Sequence, residues 1–543
     1  MNGVIFMERP LMGKAILVGA GPGHPGLISV RGQRELERAD VVLYDRLIAR
    51  ELLGLVYPEA QLIFVGKRAG HHLKPQPEIN QLLLKHVRAG KRVVRLKGGD
   101  SFIFSRGGEE ILALTEAGLP FEVVPGLTSA IAALAFAGIP LTQKGVNSSF
   151  TILTGHEDPT KPHTMLNWAT LARQEMLVLL MAVKKLSQIC QSLLAAGKPA
   201  NTPAAMISWG TTDHQKVLTG RLDDIVDRVA ASRLPTPAII VVGEGVALRE
   251  QLAWHRPYGL ADGFIGEEQE TSVSTDPMPT VALVGAGPGA ADLVTVRGLE
   301  KLRQADVILH DRLVNPQLLA ETKAAATVIN VGKSDRRDRY PQAEINRLLV
   351  AHGQTGKQVV RLKGGDPFVF GLGGDECLAL CEAGIRYEIV PGLSSVTAVP
   401  GSLHIPLTHR GVNTSFTVLS GHRTPSDNAE QWNHIPEHTT LLVLMGLKKL
   451  PLIVAHLLEN GRSPQTPIAL IESGTTAEQK VVIGTLADIV AKSGGLRTPT
   501  LIVIGEVVAL RERFAWAEQR VASAVETATA TSSGQAVWGK AVR

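Results

Sequence analysis

The sequence predicts an α/β protein made by tandem duplication of a two-lobed unit, and three observations carry the prediction. The stretch ILVGAGPGHPGLISVRG near the start returns as ALVGAGPGAADLVTVRG, with Gly19 and Gly285 as the same glycine, 266 residues apart (285 − 19). The same offset carries RLKGGDSFIF (from Arg95) onto RLKGGDPFVF (from Arg361), and VVPGLTS (from Val123) onto IVPGLSS (from Ile389). Strands, helices and glycine turns alternate within each copy as a parallel α/β unit requires. The offset shrinks to 264 between Lys184 and Lys448 and to 262 between Thr236 and Thr498, which marks small loop deletions. A period this long lies far beyond the ~20–50 residues of a solenoid repeat, so each copy is a complete globular unit.

Each copy opens with a buried-strand run, Ala15 to Val18 and Val281 to Val284. A glycine loop follows, then a helical stretch ending near Ala39-Asp40 and a second apolar run, Val41 to Tyr44. Val93 to Leu96 supplies a further strand before the turn at Gly98-Gly99. After Val124-Pro125-Gly126 the texture changes to a small-residue helix, Ser129 to Ala137, whose counterpart Pro400 and His404 should interrupt. Strands at Phe150 to Leu153, Met176 to Met181 and Ala238 to Val242 form a second α/β lobe. The first copy is therefore placed at 13–255, with lobes of about 13–124 and 125–255, and the second at 279–520, with lobes of about 279–390 and 391–520. The polar, acidic stretch 256–278 reads as a linker, and 521–543, rich in Ala, Thr and Ser, as a disordered tail.

Composition narrows the function classes. Apolar residues at 44% support large cores, while aromatics at 4% leave little material for stacking bases, so nucleic acid is not an expected partner. A net charge of +5, spread over both copies, suits an anionic small molecule better than a phosphate backbone. Three cysteines, Cys190, Cys377 and Cys381, are too few for a disulfide framework and read as buried structural thiols, with no metal site. No apolar run approaches the ~18–20 residues of a membrane span and no signal-peptide layout opens the chain, so a soluble, cytoplasmic protein is expected.

The glycine loops carry the chemistry. Gly19-Ala20-Gly21-Pro22-Gly23 follows a strand directly, where glycine admits close approach of a ligand and a helix N-terminus receives an anionic group. A nicotinamide-binding oxidoreductase is one reading, with Asp45 near the position of a ribose-binding acid. Against it, Pro22 stiffens the loop and His24 or Ala290 replaces the third glycine of G-x-G-x-x-G. Gly98-Gly99-Asp100 and Gly364-Gly365-Asp366 form a second loop at a strand end; their aspartate either orients a ribose or amino group, or caps a tight turn.

The motifs GAGPG, YDRL, VGKRAG, RLKGGD, VPGLTSA, GIPLT and LTGH, in this order and spacing, resemble the uroporphyrinogen-III C-methyltransferases of the tetrapyrrole methylase superfamily, through about 240 residues of each copy. The resemblance implies the two-lobed class III methyltransferase fold with S-adenosylmethionine in the cleft between lobes. Carried over residue by residue, the cofactor positions are Pro22, Gly98, Gly99, Asp100, Ile103, Thr128, Ser129, Met181 and Gly210. The second copy offers Pro288, Gly364, Gly365, Asp366, Val369, Ser394, Ser395, Met445 and Gly474. It further implies Asp45 as proton acceptor with Lys67 as donor, matched by Asp311 and Lys333. The implied reaction methylates two pyrrole carbons of uroporphyrinogen III to give precorrin-2, which feeds sirohaem or cobalamin synthesis. That substrate bears eight carboxylates, so Arg46, Lys67, Arg68, Arg106 and Lys144 are candidates to line the first cleft.

Neither copy matches the family pattern throughout. The first has Ser101 in place of proline and Gln143-Lys144 in place of His-Arg. The second keeps Pro367 and His409-Arg410, but reads Lys333-Ser334-Asp335-Arg336 for KRAG and Leu372 for the arginine of RGG. The first copy is expected to be the more competent site, and the second to retain cofactor binding. A methyltransferase acting on a later corrin precursor, and a second copy serving only as scaffold, are the alternatives. The two copies are expected to pair within the chain as a pseudo-dimer.

Overall fold

A computed structural model describes residues 13–66, 74–155, 166–255, 280–332, 340–422, 424–425 and 429–514. The expected linker and tail lie outside these residues, as do Lys67, Arg68 and Lys333. The first lobe of copy one is a parallel sheet of β1 (Lys14–Gly19), β2 (Val41–Tyr44), β3 (Gln61–Phe64), β4 (Arg92–Lys97) and β5 (Phe121–Val124), in the order β3-β2-β4-β1-β5. Ala15 to Val18 are fully buried, because helices cover both faces of a parallel sheet and its central strand must be apolar throughout. Ser29 caps the first long helix, Val30–Glu37, by accepting from Gly32 N at 3.1 Å.

The second lobe contains β6 (Ser149–Thr154), β7 (Met176–Leu180), β8 (Pro203–Ser208), β9 (Lys216–Arg221) and β10 (Ala238–Gly243). Copy two repeats the first sheet as β11 (Val281–Gly285), β12 (Val307–His310), β13 (Thr327–Asn330), β14 (Val359–Lys363) and β15 (Tyr387–Val390). Its second lobe supplies β16 (Ser415–Ser420), β17 (Thr439–Leu444), β18 (Pro467–Glu472), β19 (Lys480–Thr485) and β20 (Thr500–Ile504). The two second lobes share one ten-stranded sheet, β19-β18-β20-β17-β16-β6-β7-β10-β8-β9. Antiparallel pairing of β6 with β16 joins them, placing Thr151 opposite Thr417 with hydroxyls 2.9 Å apart. These residues are equivalent in the two copies, so a local two-fold passes between them.

Other contacts obey the same symmetry. Val30 N donates to Val294 O at 3.0 Å and Val296 N to Ile28 O at 2.9 Å. Leu252 of copy one packs into the first lobe of copy two, and Phe514 of copy two into the first lobe of copy one, stacked on Phe102 at 6.4 Å. Covering apolar strands at the lobe boundary thus requires both copies.

Three expectations change. Helix Ser395–Ser402 contains Pro400 rather than stopping there, since a proline near the end of a buried helix forfeits one backbone bond while its apolar ring stays packed; His404 lies beyond, at φ +61°. Cys190 and Cys377 are buried as expected, but Cys381 is exposed at the end of its helix. Met181 leaves β7 by turning into the left-handed region. Among the described residues no helix is long and apolar enough to cross a membrane, and no group of three or more His, Cys, Asp or Glu could hold a metal ion.

Candidate functional site

Three loops converge at the carboxyl ends of β1, β4 and β5. Ala20 N donates to Lys97 O at 2.8 Å, and Gly21 and Gly99 exchange backbone hydrogen bonds of 3.2 and 2.8 Å. A Cβ on Gly126 would lie 2.3 Å from Gly99 O and 2.5 Å from Gly19 Cα, and one on Gly19 would lie 2.4 Å from Gly126 Cα, so both Gly19 and Gly126 are needed for the loops to touch. Gly285, Gly365 and Gly392 repeat the arrangement, with 2.3 Å from Gly392 to Gly365 O. Gly99, at φ +72°, has nothing within 4 Å of where its Cβ would be, so its backbone faces open space.

Asp100 holds this junction from beneath. Its Oδ1 accepts from Phe102 N at 2.7 Å and its Oδ2 from Gly126 N at 3.0 Å. Asp366 does the same with Phe368 N and Gly392 N, at 2.8 and 3.1 Å. Burial pushes these carboxyls up, to about 6 for Asp100 and about 7 for Asp366, against the pull of the amides. Of the two roles open to the aspartate, the turn cap is the one its hydrogen bonds display. Thr128 and Ser394 cap the next helix, which begins at Ser129 and Ser395. Ile103 and Val369 are buried in the shared core, which makes them the floor of the junction.

The second lobe approaches from above. Met181 and Met445 follow β7 and β17 at φ +56° and +57°, a costly conformation for an unbranched apolar residue, and about half of each is exposed. Gly210, after β8, packs so closely on the small-residue helix that a Cβ would meet Ala133 Cβ at 2.4 Å. Beside it Thr211 Oγ1 accepts from His24 N at 3.3 Å, and Thr475 Oγ1 from Ala290 N at 3.0 Å. These hydroxyls fasten the Pro22 and Pro288 loops to the second lobe, a role the sequence did not disclose.

Below the cleft lies a buried charge cluster. Arg95 donates to Asp45 at 2.6 Å and to Glu110 at 2.9 Å, and Lys97 sits 3.0 Å from Glu110. Arg361, Asp311, Glu376 and Lys363 repeat it. Burial pushes the Asp311 carboxyl up, yet Arg361, Lys363 and the Gly364 amide together hold it below the usual carboxylate range. Arg95-x-Lys97 on alternate positions of an apolar strand was the available signal: both side chains had to enter the same core face and needed an acid there.

The basic candidates disperse. Arg46 is exposed beside Asp45, while Arg106 stands just before a helix at φ +63°, without a capping side-chain bond, and makes a two-pronged pair with Glu109 at 2.6 and 2.7 Å. Lys144 is exposed on a loop whose neighbour Gln143 bonds Asp375 of the second copy. A cavity of about 810 Å³ lies between the Gly289–Asp292 loop, residues 312–318 and Thr475–Glu478 of copy two and Arg31 and Arg34 of copy one.

Comparison with known proteins agrees with this geometry. A sequence profile of the Tetrapyrrole (Corrin/Porphyrin) Methylases matches residues 14–226 and 280–490. Siroheme synthase 1 of Klebsiella pneumoniae subsp. pneumoniae is 48% identical over 253 residues, 46% of this chain and 53% of that protein. Siroheme synthase 1 of Cronobacter sakazakii is 50% identical over 243 residues, 45% of this chain and 51% of that protein. The chain thus spans about half the length of these curated relatives. A solved uroporphyrin III C-methyl transferase from Thermus thermophilus is 38% identical, covering 44% of this chain and 100% of that one, with a TM-score of 0.38; strand order, not that overlay, defines the fold here. With two matched segments that together take in most of its residues, the chain belongs to the tetrapyrrole (corrin/porphyrin) methylases.

Proposed function

We propose that the chain is an S-adenosylmethionine-dependent C-methyltransferase that converts uroporphyrinogen III to precorrin-2. The observation that carries this reading is the duplicated three-loop junction, where the backbone of Gly99 faces open space and a Cβ on Gly365 would meet nothing nearer than Ser394 and Ser395 at 3.9 Å. These residues suit the cofactor: open glycine backbone on one wall, and the exposed Met181 or Met445 with Gly210 or Gly474 on the other. The names of the siroheme synthase relatives support the tetrapyrrole substrate.

S-adenosylmethionine, when bound, supplies an electrophilic sulfonium methyl. The chain's own contribution is placement: Gly21, Gly99 and Gly126 fix one wall and Thr211 locks it to the other, so donor and ring carbon are held in line. Such alignment is worth up to ~7–11 kcal/mol of barrier. Asp45 and Asp311 are assigned as proton acceptors, with Lys67 and Lys333 as donors: the methylated carbon becomes fully substituted, so the proton that restores neutrality leaves from elsewhere in the macrocycle. Asp311 stays ionised beside Arg361, which leaves it able to accept a proton but makes it a weak base. Pairing of β6 with β16 and the exchanged Leu252 and Phe514 support the intrachain pseudo-dimer.

Anaerobic rate measurements with S-adenosylmethionine and either uroporphyrinogen III or precorrin-2 test the substrate. Faster methylation of uroporphyrinogen III is expected; turnover of the precorrin alone would reject the assignment. NADH binding without affinity for S-adenosylhomocysteine would reject the cofactor.

A further inference from the structure

We infer that a small carboxylate binds at the copy boundary, on Arg297 of copy two beside Gly26 and His24 of copy one, and fastens the copies there. The local two-fold supplies the comparison. Arg31 and Arg297 are equivalent (297 − 31 = 266), each the second residue of a helix whose first residue hydrogen-bonds the other copy through its backbone. Arg31 reaches across the boundary to Asp292, donating from Nε at 2.9 Å and from Nη2 at 2.7 Å, the two-pronged grip of a guanidinium on a carboxylate. The residue that the two-fold sets against Arg297 is Gly26 (292 − 26 = 266), which has no carboxylate to offer. A Cβ on Gly26 would lie 3.1 Å from Arg297 Cβ and 3.2 Å from His24 Cε1, so the three residues adjoin.

The donors that grip Asp292 on one side go unanswered on the other. Arg297 Nε is buried with no hydrogen-bond partner among the described residues, although the same atom of Arg31 holds Asp292. Nη1 of Arg297 fares no better. It lies 2.9 Å from His24 Nε2, while His24 Nδ1 accepts from Gly26 N at 3.0 Å. A neutral imidazole accepts at one nitrogen only, so Nε2 carries the ring proton and meets Arg297 donor to donor. Burial, with Arg297 beside it, pushes the His24 pKa down and keeps the ring neutral; the acids Asp213, Glu51 and Glu388 pull the other way and are outweighed. Only Nη2 of this guanidinium has an acceptor among the described residues, Glu388 at 2.8 Å.

Charge favours an anion at this place. Lys301 bonds the same Glu388 carboxylate, so two cations share one acid, whereas Arg31 and Asp292 pair one to one. Phe136 lies against the guanidinium, its ring centroid 6.0 Å from Cζ, and steadies the cation without neutralising it. His24, Gly26 and Arg297 are all half-buried, so a solute reaches them, and none of them is a cofactor position. A carboxylate on the Nε edge of Arg297 repeats the Arg31–Asp292 pair with a free anion in place of a side chain. It touches both copies and must leave before they part.

Hydrogen exchange of the full chain, read by mass spectrometry on the peptides that hold Val30 and Val296, follows the boundary, because both amides donate across it. Sodium acetate at ten times its calorimetric dissociation constant should slow this exchange by ~10-fold relative to sodium chloride of equal ionic strength, the protection given by a ligand that must dissociate first. Gly26→Asp supplies a tethered carboxylate, as Asp292 does for Arg31, and should reduce the acetate effect to less than about two-fold. Arg297→Met, which leaves Glu388 paired with Lys301, should abolish it by removing the donors. Absence of acetate binding, an undiminished acetate effect in either variant, or equal protection by sodium phosphate would overturn the carboxylate site. No turnover is measured, so this outcome stands apart from the test of the proposed function.

Discussion

Replacing Glu110 with Gln isolates the energetics of the charge cluster beneath the first cleft. Glu110 is fully buried, lies 2.9 Å from Arg95 Nε and 3.0 Å from Lys97 Nζ, and accepts from Gln76 at 3.1 Å. Two buried cations face two carboxylates, Glu110 and Asp45; after the substitution they face one. Removing one partner of a buried pair costs ~3–5 kcal/mol, because a charge is left uncompensated. Burial and the neighbouring Arg95 already hold the Lys97 ammonium below its usual range, so release of its proton offsets part of the cost. A loss of ~3 kcal/mol is therefore expected. A chain of four lobes does not melt as one unit, so native-state hydrogen exchange of the β4 amides is the suitable assay. Lys97→Met added to Glu110→Gln restores one-to-one pairing of Arg95 with Asp45 and should recover about half the loss. A change below ~1 kcal/mol, or no recovery in the double variant, would refute a cluster held together by mutual compensation.

Three further outcomes are expected. Gly126→Ala puts a Cβ 2.3 Å from Gly99 O, prising the loops apart, and should weaken S-adenosylhomocysteine binding at the first site by at least ~10-fold in calorimetry, one hydrogen bond's worth; unchanged affinity would contradict the three-loop junction. Asp366 has its pKa raised from 3.8 to about 7, so it costs nothing below pH 3.8, accrues a penalty up to about pH 7 and holds it above. Exchange of the β14 amides should thus show a loss of up to ~4 kcal/mol between pH 4 and 8 that Asp366→Asn removes, and parallel slopes for both chains would argue against a buried titrating carboxyl. Thr408→Val deletes one hydroxyl donor to Phe102 and one acceptor for Phe104; a loss of ~1–3 kcal/mol in exchange protection of the Phe102–Phe104 amides is expected, and none if the copies do not grip each other.

Much of this architecture can be read from the amino-acid order. Buried parallel strands such as β1 and β11 are unbroken or nearly unbroken apolar runs, and glycines at strand ends mark close loop approach whether or not a ligand is present. The edge strand β3, Gln61–Phe64, escaped notice because its residues are partly exposed and carry no period. Gly126 was visible only as a boundary; its contact with Gly19 spans more than a hundred residues and leaves no local pattern. The deepest gap is the crossing of Thr142 and Thr408, whose hydroxyls bond the Phe368–Phe370 and Phe102–Phe104 backbones of the opposite copy. No one-dimensional signal states which of two near-identical helices a loop will meet, and the β6–β16 pairing that decides it arises only when two sheet edges find each other.

The most direct measurement is the mass of the tetrapyrrole formed anaerobically from uroporphyrinogen III with methyl-deuterated S-adenosylmethionine. Two labelled methyl groups on each end product are predicted, with a singly labelled species passing through on the way. A tetrapyrrole that gains no label would contradict the assignment of this chain as a uroporphyrinogen methyltransferase.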